Sequence, residues 1–286
     1  AKAEAAAAIE RGQNKYTVTQ GMAALREAIA AEAAEEFGWE ADRPVLITSG
    51  VSGALMLTFL VAVDPGDEVL LMDPSFVIYQ HLTNLVGAKP VWVDTYPDFL
   101  PRPEAIEAAI TDRTRLLVLN SPCNPTGRVY PPELIGRIAE IATGHDLLVI
   151  SDEIYNAFCY DVPFASVAAQ HEATVLMRGF SKTYAMTGWR LGWCTGPAEI
   201  LDKMTMLQQY SFVCAPSMAQ AAGLVALDVD MSGYISAYRR KRDIVADALG
   251  PAFGLVRPEG AFYAFVPCPK GVTGTELVTR AIIFLI

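Results

Sequence analysis

The sequence is short of positive charge, histidine, paired cysteine and long apolar runs, and each shortage excludes a class of function. Lys and Arg number 22 against 32 Asp and Glu, so the formal net charge is −10. Phosphate backbones are held by clustered positive charge, so a nucleic-acid partner is not expected. The densest basic stretch, Arg239-Arg240-Lys241-Arg242, distributes around a helix and reads as solvated helix surface. The three histidines (His81, His145, His171) stand far apart without metal-ligand spacing, and no metal is expected. The five cysteines (Cys123, Cys159, Cys194, Cys214, Cys268) are odd in number and contain no CxxC pair, which suits a reducing compartment. No apolar run reaches the ~18 residues of a membrane span. The opening AKAEAAAAIE lacks the basic flank and apolar centre of a secretory signal. A cytoplasmic, acidic, globular protein is expected.

What is present is a large apolar fraction. Hydrophobic residues make up 52% of the 286 and charged residues 19%, enough for a sizeable core in one large domain or two modest ones. Short apolar runs alternate with helical periodicity. VLIT (45–48), EVLLM (68–72), PVWV (90–93), RLLVL (115–119), LLVIS (147–151), TVLMR (174–178) and LGWCT (191–195) read as seven strands. Helices are expected at 20–37, 52–63, 103–110, 132–143, 197–209, 216–228 and 231–249, with a short strand at 261–266. Nearly continuous Val, Leu and Ile runs separated by helices predict an α/β fold. Its sheet is mainly parallel and seven-stranded, sandwiched by helices, and a smaller α/β domain accompanies it. The expected division is 1–37 as part of the small domain and dimer contact, 38–230 as the large ligand-binding domain, and 231–286 as the rest of the small domain.

Open parallel sheets bind ligands beyond the carboxyl ends of their strands, and this sequence puts its unusual polar residues there. TSGVSG follows the first strand, NSPCNPTG the fourth, SDEIY the fifth and RGFSKT the sixth. Gly50, Val51 and Ser52 sit where a strand turns into a helix, a place that suits an anion; a plain helix cap is the alternative. Neither a Walker loop nor a GxGxxG fingerprint is present, and the hydrolase elbow GxSxG is only approached. Asp152 closes an apolar strand, where a carboxylate needs a positive partner or a local turn to cap. Lys182 follows another buried strand, where a lysine in an apolar pocket becomes nucleophilic; a solvated loop lysine is the alternative. Arg190, between Trp189 and Leu191, requires an anion or a structural ion pair.

The run SKTYAMTGWRLG (181–192) resembles the Schiff-base lysine signature of class I aminotransferases, which are fold type I enzymes dependent on pyridoxal phosphate. Pro-x-Phe-x-x-Tyr at 74–79, NPTG at 124–127, Asp-x-x-Tyr at 152–155 and PEGAFY at 258–263 are similar to further landmarks of the family, in order and at fitting spacing. The resemblance implies an aspartate-aminotransferase-like enzyme moving an amino group between an α-amino acid and a 2-oxo acid in a ping-pong cycle. It implies catalytic roles for Lys182, Asp152 and Tyr155: Schiff-base amine and proton carrier, partner of the ring nitrogen, and donor to the ring's phenolic oxygen. It also implies cofactor contacts from Asn124, Phe76, Gly50, Val51, Ser52, Ser181 and Arg190. Tyr16, in NKYTVTQG, would reach the phosphate of a neighbouring subunit, so a homodimer is implied. Where many relatives carry serine three residues before the lysine, this chain has Gly179. The family's carboxylate-binding arginine would follow Ile286, and the segment before the first helix is short, so both ends read as cut and the small domain as incomplete. The rival readings are a β-lyase acting on cysteine conjugates, a non-catalytic sensor domain with the same cofactor, and a serine hydrolase centred on Ser52.

Overall fold

The computed structural model describes residues 1–40 and 42–283. Helices α1 (Lys2–Glu10) and α2 (Ala23–Phe37) precede an alternation of β1 (Val45–Thr48), α3 (Gly50–Ala62), β2 (Glu68–Asp73), α4 (Ile78–Leu85), β3 (Lys89–Asp94), α5 (Pro103–Ala109), β4 (Thr114–Asn120), α6 (Pro132–Gly144) and β5 (Leu148–Asp152). Then come β6 (Thr174–Gly179), the single-turn α7 (Phe180–Thr183), β7 (Gly192–Thr195), and helices α8 (Ala198–Gln209), α9 (Ser217–Leu227), α10 (Ser232–Phe253) and α11 (Gly274–Ile283). The seven strands form one sheet in the order β1-β7-β6-β5-β4-β2-β3. Only β7 runs against its neighbours. All seven strands expected from the apolar runs are therefore present, in a mainly parallel sheet.

The sheet is buried on both faces, which is why its strands read as apolar runs rather than alternating ones. Successive side chains point to opposite sides. Leu116, Val118 and Ile150 join the core beneath α3 and α4, whereas Leu117, Leu119 and Val149 join the core beneath α5 and α6. Each such large apolar side chain contributes about 1.5–3 kcal/mol when fully buried. A third cluster packs α1, α2 and α9 over β1, β7 and the end of β6. Its alanines (Ala5, Ala30, Ala222, Ala226) explain the Ala-rich start: α1 lies directly on α9, and small side chains let the two helices approach.

Register brings the polar strand ends into two rows. Thr48 pairs with Gly192 and Gly192 with Gly179; Asn120 pairs with Asp152 and Asp152 with Met177. Arg178 pins α2 to this edge. Its guanidinium meets Glu36 at 2.5 and 2.7 Å and the buried Glu153 at 2.9 Å.

Two expectations are corrected. Residues 261–266 form no strand; the segment makes an isolated bridge between Cys159 and Gly260 and then runs as a loop. The reason is local: Ala261 has φ 52°, which turns the chain out of extended geometry. Among the described residues, everything after β7 is helix and loop. The apolar run at the carboxyl end reaches residues 284–286, which lie outside the described residues. The basic stretch on α10 is not uniformly solvated either, because Arg242 is buried and holds Asp161 at 2.7 Å. Among the described residues no helix is long and apolar enough to cross a membrane.

Candidate active site

At the carboxyl edge of the sheet lies a cavity of about 250 Å³. Val51, Ser52, Phe76, Asn124, Asp152, Tyr155, Ser181, Lys182 and Arg190 all line it. Residues from four strand ends and from the loop before α4 therefore converge on one place, as the four polar clusters of the sequence suggested. Gly50 stands at its rim, under Arg190. Tyr16 does not line this cavity; it is 82% exposed on the loop before α2.

Asp152 ends β5 and is fully buried. Its Oδ2 accepts from the phenol of Tyr79 at 2.8 Å, and its Oδ1 accepts from the Ile154 N–H at 3.2 Å. Burial pushes its carboxyl up to about 6, against the lowering pull of the Tyr79 hydrogen bond. Lys182 is half-buried on α7. Burial lowers its ammonium from the ordinary value, Asp152 opposes that and Arg190 adds to it. Its Nζ lies 5.5 Å from the centre of the Tyr155 ring and 5.6 Å from that of Phe262. Tyr155 meets Tyr263 oxygen to oxygen at 2.5 Å, and burial followed by this hydrogen bond raises its phenol far above the ordinary range. Asn120 braces the floor: its Nδ2 donates to the Asp152 carbonyl at 2.9 Å and its Oδ1 accepts from the Asn124 N–H at 2.7 Å.

The opposite end of the cavity is built for an anion. The first turn of α3 has no side-chain cap, and Val51 and Ser52 of that turn line the cavity. Arg190 folds over it, donating to the carbonyls of Thr187 at 3.1 Å and Ser49 at 3.3 Å. A Cβ at Gly50 would stand 2.7 Å from Arg190 Nη2, and one at Gly192 would stand 2.6 Å from the Gly50 carbonyl carbon and 2.7 Å from the Val51 nitrogen. Gly192 is therefore a steric requirement of the seat, and Gly50, whose Cβ would meet only the movable tip of Arg190, is favoured by its φ of 69°. A Cβ at Gly179 would come within 3.1 Å of Gly192 Cα, a tight contact that a small shift relieves, and the cavity hydroxyl on this stretch is that of Ser181. Gly192→Ala is expected to push β7 off α3, costing about 1–3 kcal/mol by overpacking and weakening retention of a phosphate-bearing ligand. Urea unfolding together with equilibrium dialysis against inorganic phosphate or the loaded cofactor measures both.

An anion seat at one end, a buried carboxylate at the other and an amine with lowered proton affinity between aromatic rings form the donor set that pyridoxal phosphate requires. The residues present fit that group. Among the described residues no histidine lines the cavity beside Ser52, so the hydrolase reading lacks its base there. Tyr79, Asn120 and Tyr263 are site residues that the sequence reading did not single out. Tyr79 and Tyr263 lie within the quoted motifs; the signal was their motif membership, whereas their partners are set by packing.

Comparison with known proteins agrees. The sequence pattern of the family described as aminotransferase class I and II matches residues 1–283. The aspartate/prephenate aminotransferase of Thermus thermophilus is 39% identical over 300 residues, covering 98% of this chain and 77% of that protein. The aspartate aminotransferase of Sulfolobus acidocaldarius is 36% identical over 276 residues, covering 92% and 68%. Among solved structures, the aspartate aminotransferase of Thermotoga maritima superposes with a TM-score of 0.93 at 31% identity, over 98% of this chain and 76% of that one. With the whole described fold, the cavity and the family pattern in agreement, this chain belongs to the class I and II aminotransferases and is an enzyme that depends on pyridoxal phosphate.

Proposed function

We propose that this aminotransferase exchanges the amino group of aspartate, or a close dicarboxylic relative, with 2-oxoglutarate, and that it works as a cytoplasmic homodimer. The names of the Thermus, Sulfolobus and Thermotoga relatives support the substrate class. The observation that carries the reading of the site is that Lys182 and Asp152, thirty residues apart, one on the turn just past β6 and the other at the end of the neighbouring β5, line one cavity.

The bound cofactor supplies an electron sink for charge left on a substrate carbon. The protein's part is division of labour. Lys182, its proton affinity lowered by burial, would be the covalent attachment point, and its Nζ would carry the proton to and from the substrate α-carbon. Asp152 would face the ring nitrogen and hold its proton in place. A carboxyl near 6 when empty is readily held ionised once a cation faces it. Tyr155 would donate to the phenolic oxygen, Asn124 to the same oxygen and to the substrate carboxylate, and Phe76 would cover the ring face. The N–H groups of Val51 and Ser52, the Ser181 hydroxyl and Arg190 would hold the phosphate, with Gly50 allowing their approach.

Exposure of Tyr16 outside its own cavity supports its reaching the site of a second subunit. Met206 (61%) and Tyr210 (83%) are exposed on α8 and just beyond it, and Thr19 of the Tyr16 loop hydrogen-bonds Gln209 there, so these residues form one surface suited to a partner copy.

Adding amino acids singly to the loaded protein while recording its visible absorbance tests the reading. Aspartate and glutamate are expected to shift the band, and 2-oxoglutarate to restore it. Pyruvate release without any oxo-acid acceptor would instead indicate a lyase. A monomer in sedimentation at micromolar concentration would remove the dimer.

A further inference from the structure

Tyr263 enters the cavity on a segment 108 residues beyond Tyr155 in sequence, and the two phenol oxygens meet at 2.5 Å with ring planes at 85°. The groups facing Tyr155 are Tyr263, Asp152, Cys123 and the Lys182 amine, with the Phe262 ring against its side. Of these, Tyr263 is the one hydrogen-bonded to the Tyr155 oxygen. A phenol has one proton to donate, so in such a pair one member spends its proton on the other, and the accepting member keeps its own free.

The segment that delivers Tyr263 is fixed rather than free. The N–H groups of Glu259 and Gly260 both donate to the Gly127 carbonyl at 2.8 Å, and that of Ala261 to the Phe158 carbonyl at 2.9 Å. Arg128 holds Glu259 at 3.0 Å, and the buried Arg242 donates to the Pro258 carbonyl. A Cβ at Gly260 would stand 2.6 Å from the Phe158 carbonyl oxygen, and Ala261 sits in the left-handed region. A non-glycine residue is held there only where its surroundings over-determine it. The phenol is therefore set in place by the fold, on a segment held against the loop that also carries Asn124.

We infer that Tyr263 is a positioning residue: once an acceptor in the cavity takes the Tyr155 proton, Tyr263 turns its own phenolic proton onto the Tyr155 oxygen and so leaves the Tyr155 proton free for donation into the cavity. This rests on the proposed role of Tyr155. Accepting one hydrogen bond strengthens a hydroxyl as a donor of the next, so Tyr263 makes Tyr155 the stronger donor. Phenylalanine at 263 keeps the ring and its packing and removes only the proton.

The test is a pH titration of the visible absorbance band of the loaded enzyme. Donation to an anionic oxygen of the cofactor favours the anion and lowers the midpoint. Tyr263→Phe is expected to raise that midpoint by about 0.5 pH unit and to lower kcat about fivefold with KM changed less than about twofold. Tyr155→Phe should raise the midpoint by about 1 unit, and the double variant should match Tyr155→Phe alone. A midpoint unmoved in Tyr263→Phe, or moved equally whether or not Tyr155 is present, overturns the inference. Failure of the underlying reading looks different: a wild-type protein that gains no band with cofactor, or a band that survives Lys182→Ala.

Discussion

Lys182→Ala is expected to abolish amino-group transfer, by roughly 10⁴-fold or more, because one side chain supplies both the attachment point and the proton carrier. Lys182→Arg should be equally inactive, since a guanidinium stays protonated and cannot take either part. The fold should not notice. Lys182 forms no ion pair among the described residues, and the turn that carries it is anchored by Phe180 and Ser181, which are buried. Urea unfolding should therefore find the empty variant no less stable than the empty parent at neutral pH, where the parent alone carries a half-buried ammonium. At high pH the difference should shrink. The lysine's folded proton affinity is lowered from 10.5, so the unfolded chain binds the extra proton, and the empty parent gains stability as pH rises toward that value. The variant lacks this slope. Retained turnover, or a collapse of the fold, would separate Lys182 from the chemistry assigned to it.

How much of this was legible in the sequence depends on how local the cause was. The strands were visible because each is buried on both faces, and double burial writes itself as an unbroken apolar run. The convergence of TSGVSG, NSPCNPTG, SDEIY and RGFSKT was visible because parallel strands present the same end to the same edge, whatever their order. Other features had no local signature. Tyr79 matters because its phenol reaches Asp152 across 73 residues, and Tyr263 because it reaches Tyr155 across 108. In sequence either could be a plain core aromatic. Helix α1 was missed because its alanines carry little apolar contrast; the reason for them is the close approach of α9, which is a tertiary fact. The expected strand at 261–266 erred in the opposite way. Its alternation of aromatic and small residues suits a strand, but a strand needs a paired neighbour, and the backbone there is bent to deliver Tyr263 instead. Arg242 looked like one of four solvated bases because sequence does not reveal that Asp161 and the Pro258 carbonyl wait for it.

Asp152→Asn is expected to change activity and stability with opposite signs. Activity should fall at least about 10²-fold, because a neutral amide cannot hold the ring nitrogen cationic. The empty protein should gain stability at neutral pH. Burial raises the carboxyl from 3.8 to about 6, so between those values the native state holds a proton that the unfolded chain has released. The empty parent thus loses stability as pH rises from about 4 to 6 and stays at the lower level above. Asparagine removes that slope. The gain at pH 7 is on the order of 1–2 kcal/mol, because the amide offsets part of it. Asp152 accepts from Tyr79 at one oxygen and from the Ile154 N–H at the other, and asparagine has a single oxygen with which to accept. Unfolding curves for the empty parent and variant at pH 4 and pH 8 measure the slope directly. A buried acid that weakens the empty fold is explained by a cation that arrives later, and loading the parent with cofactor should reverse the order of the two stabilities. A variant less stable than the parent at both pH values, with its activity reduced only in proportion to the folded fraction, would make Asp152 a structural residue instead.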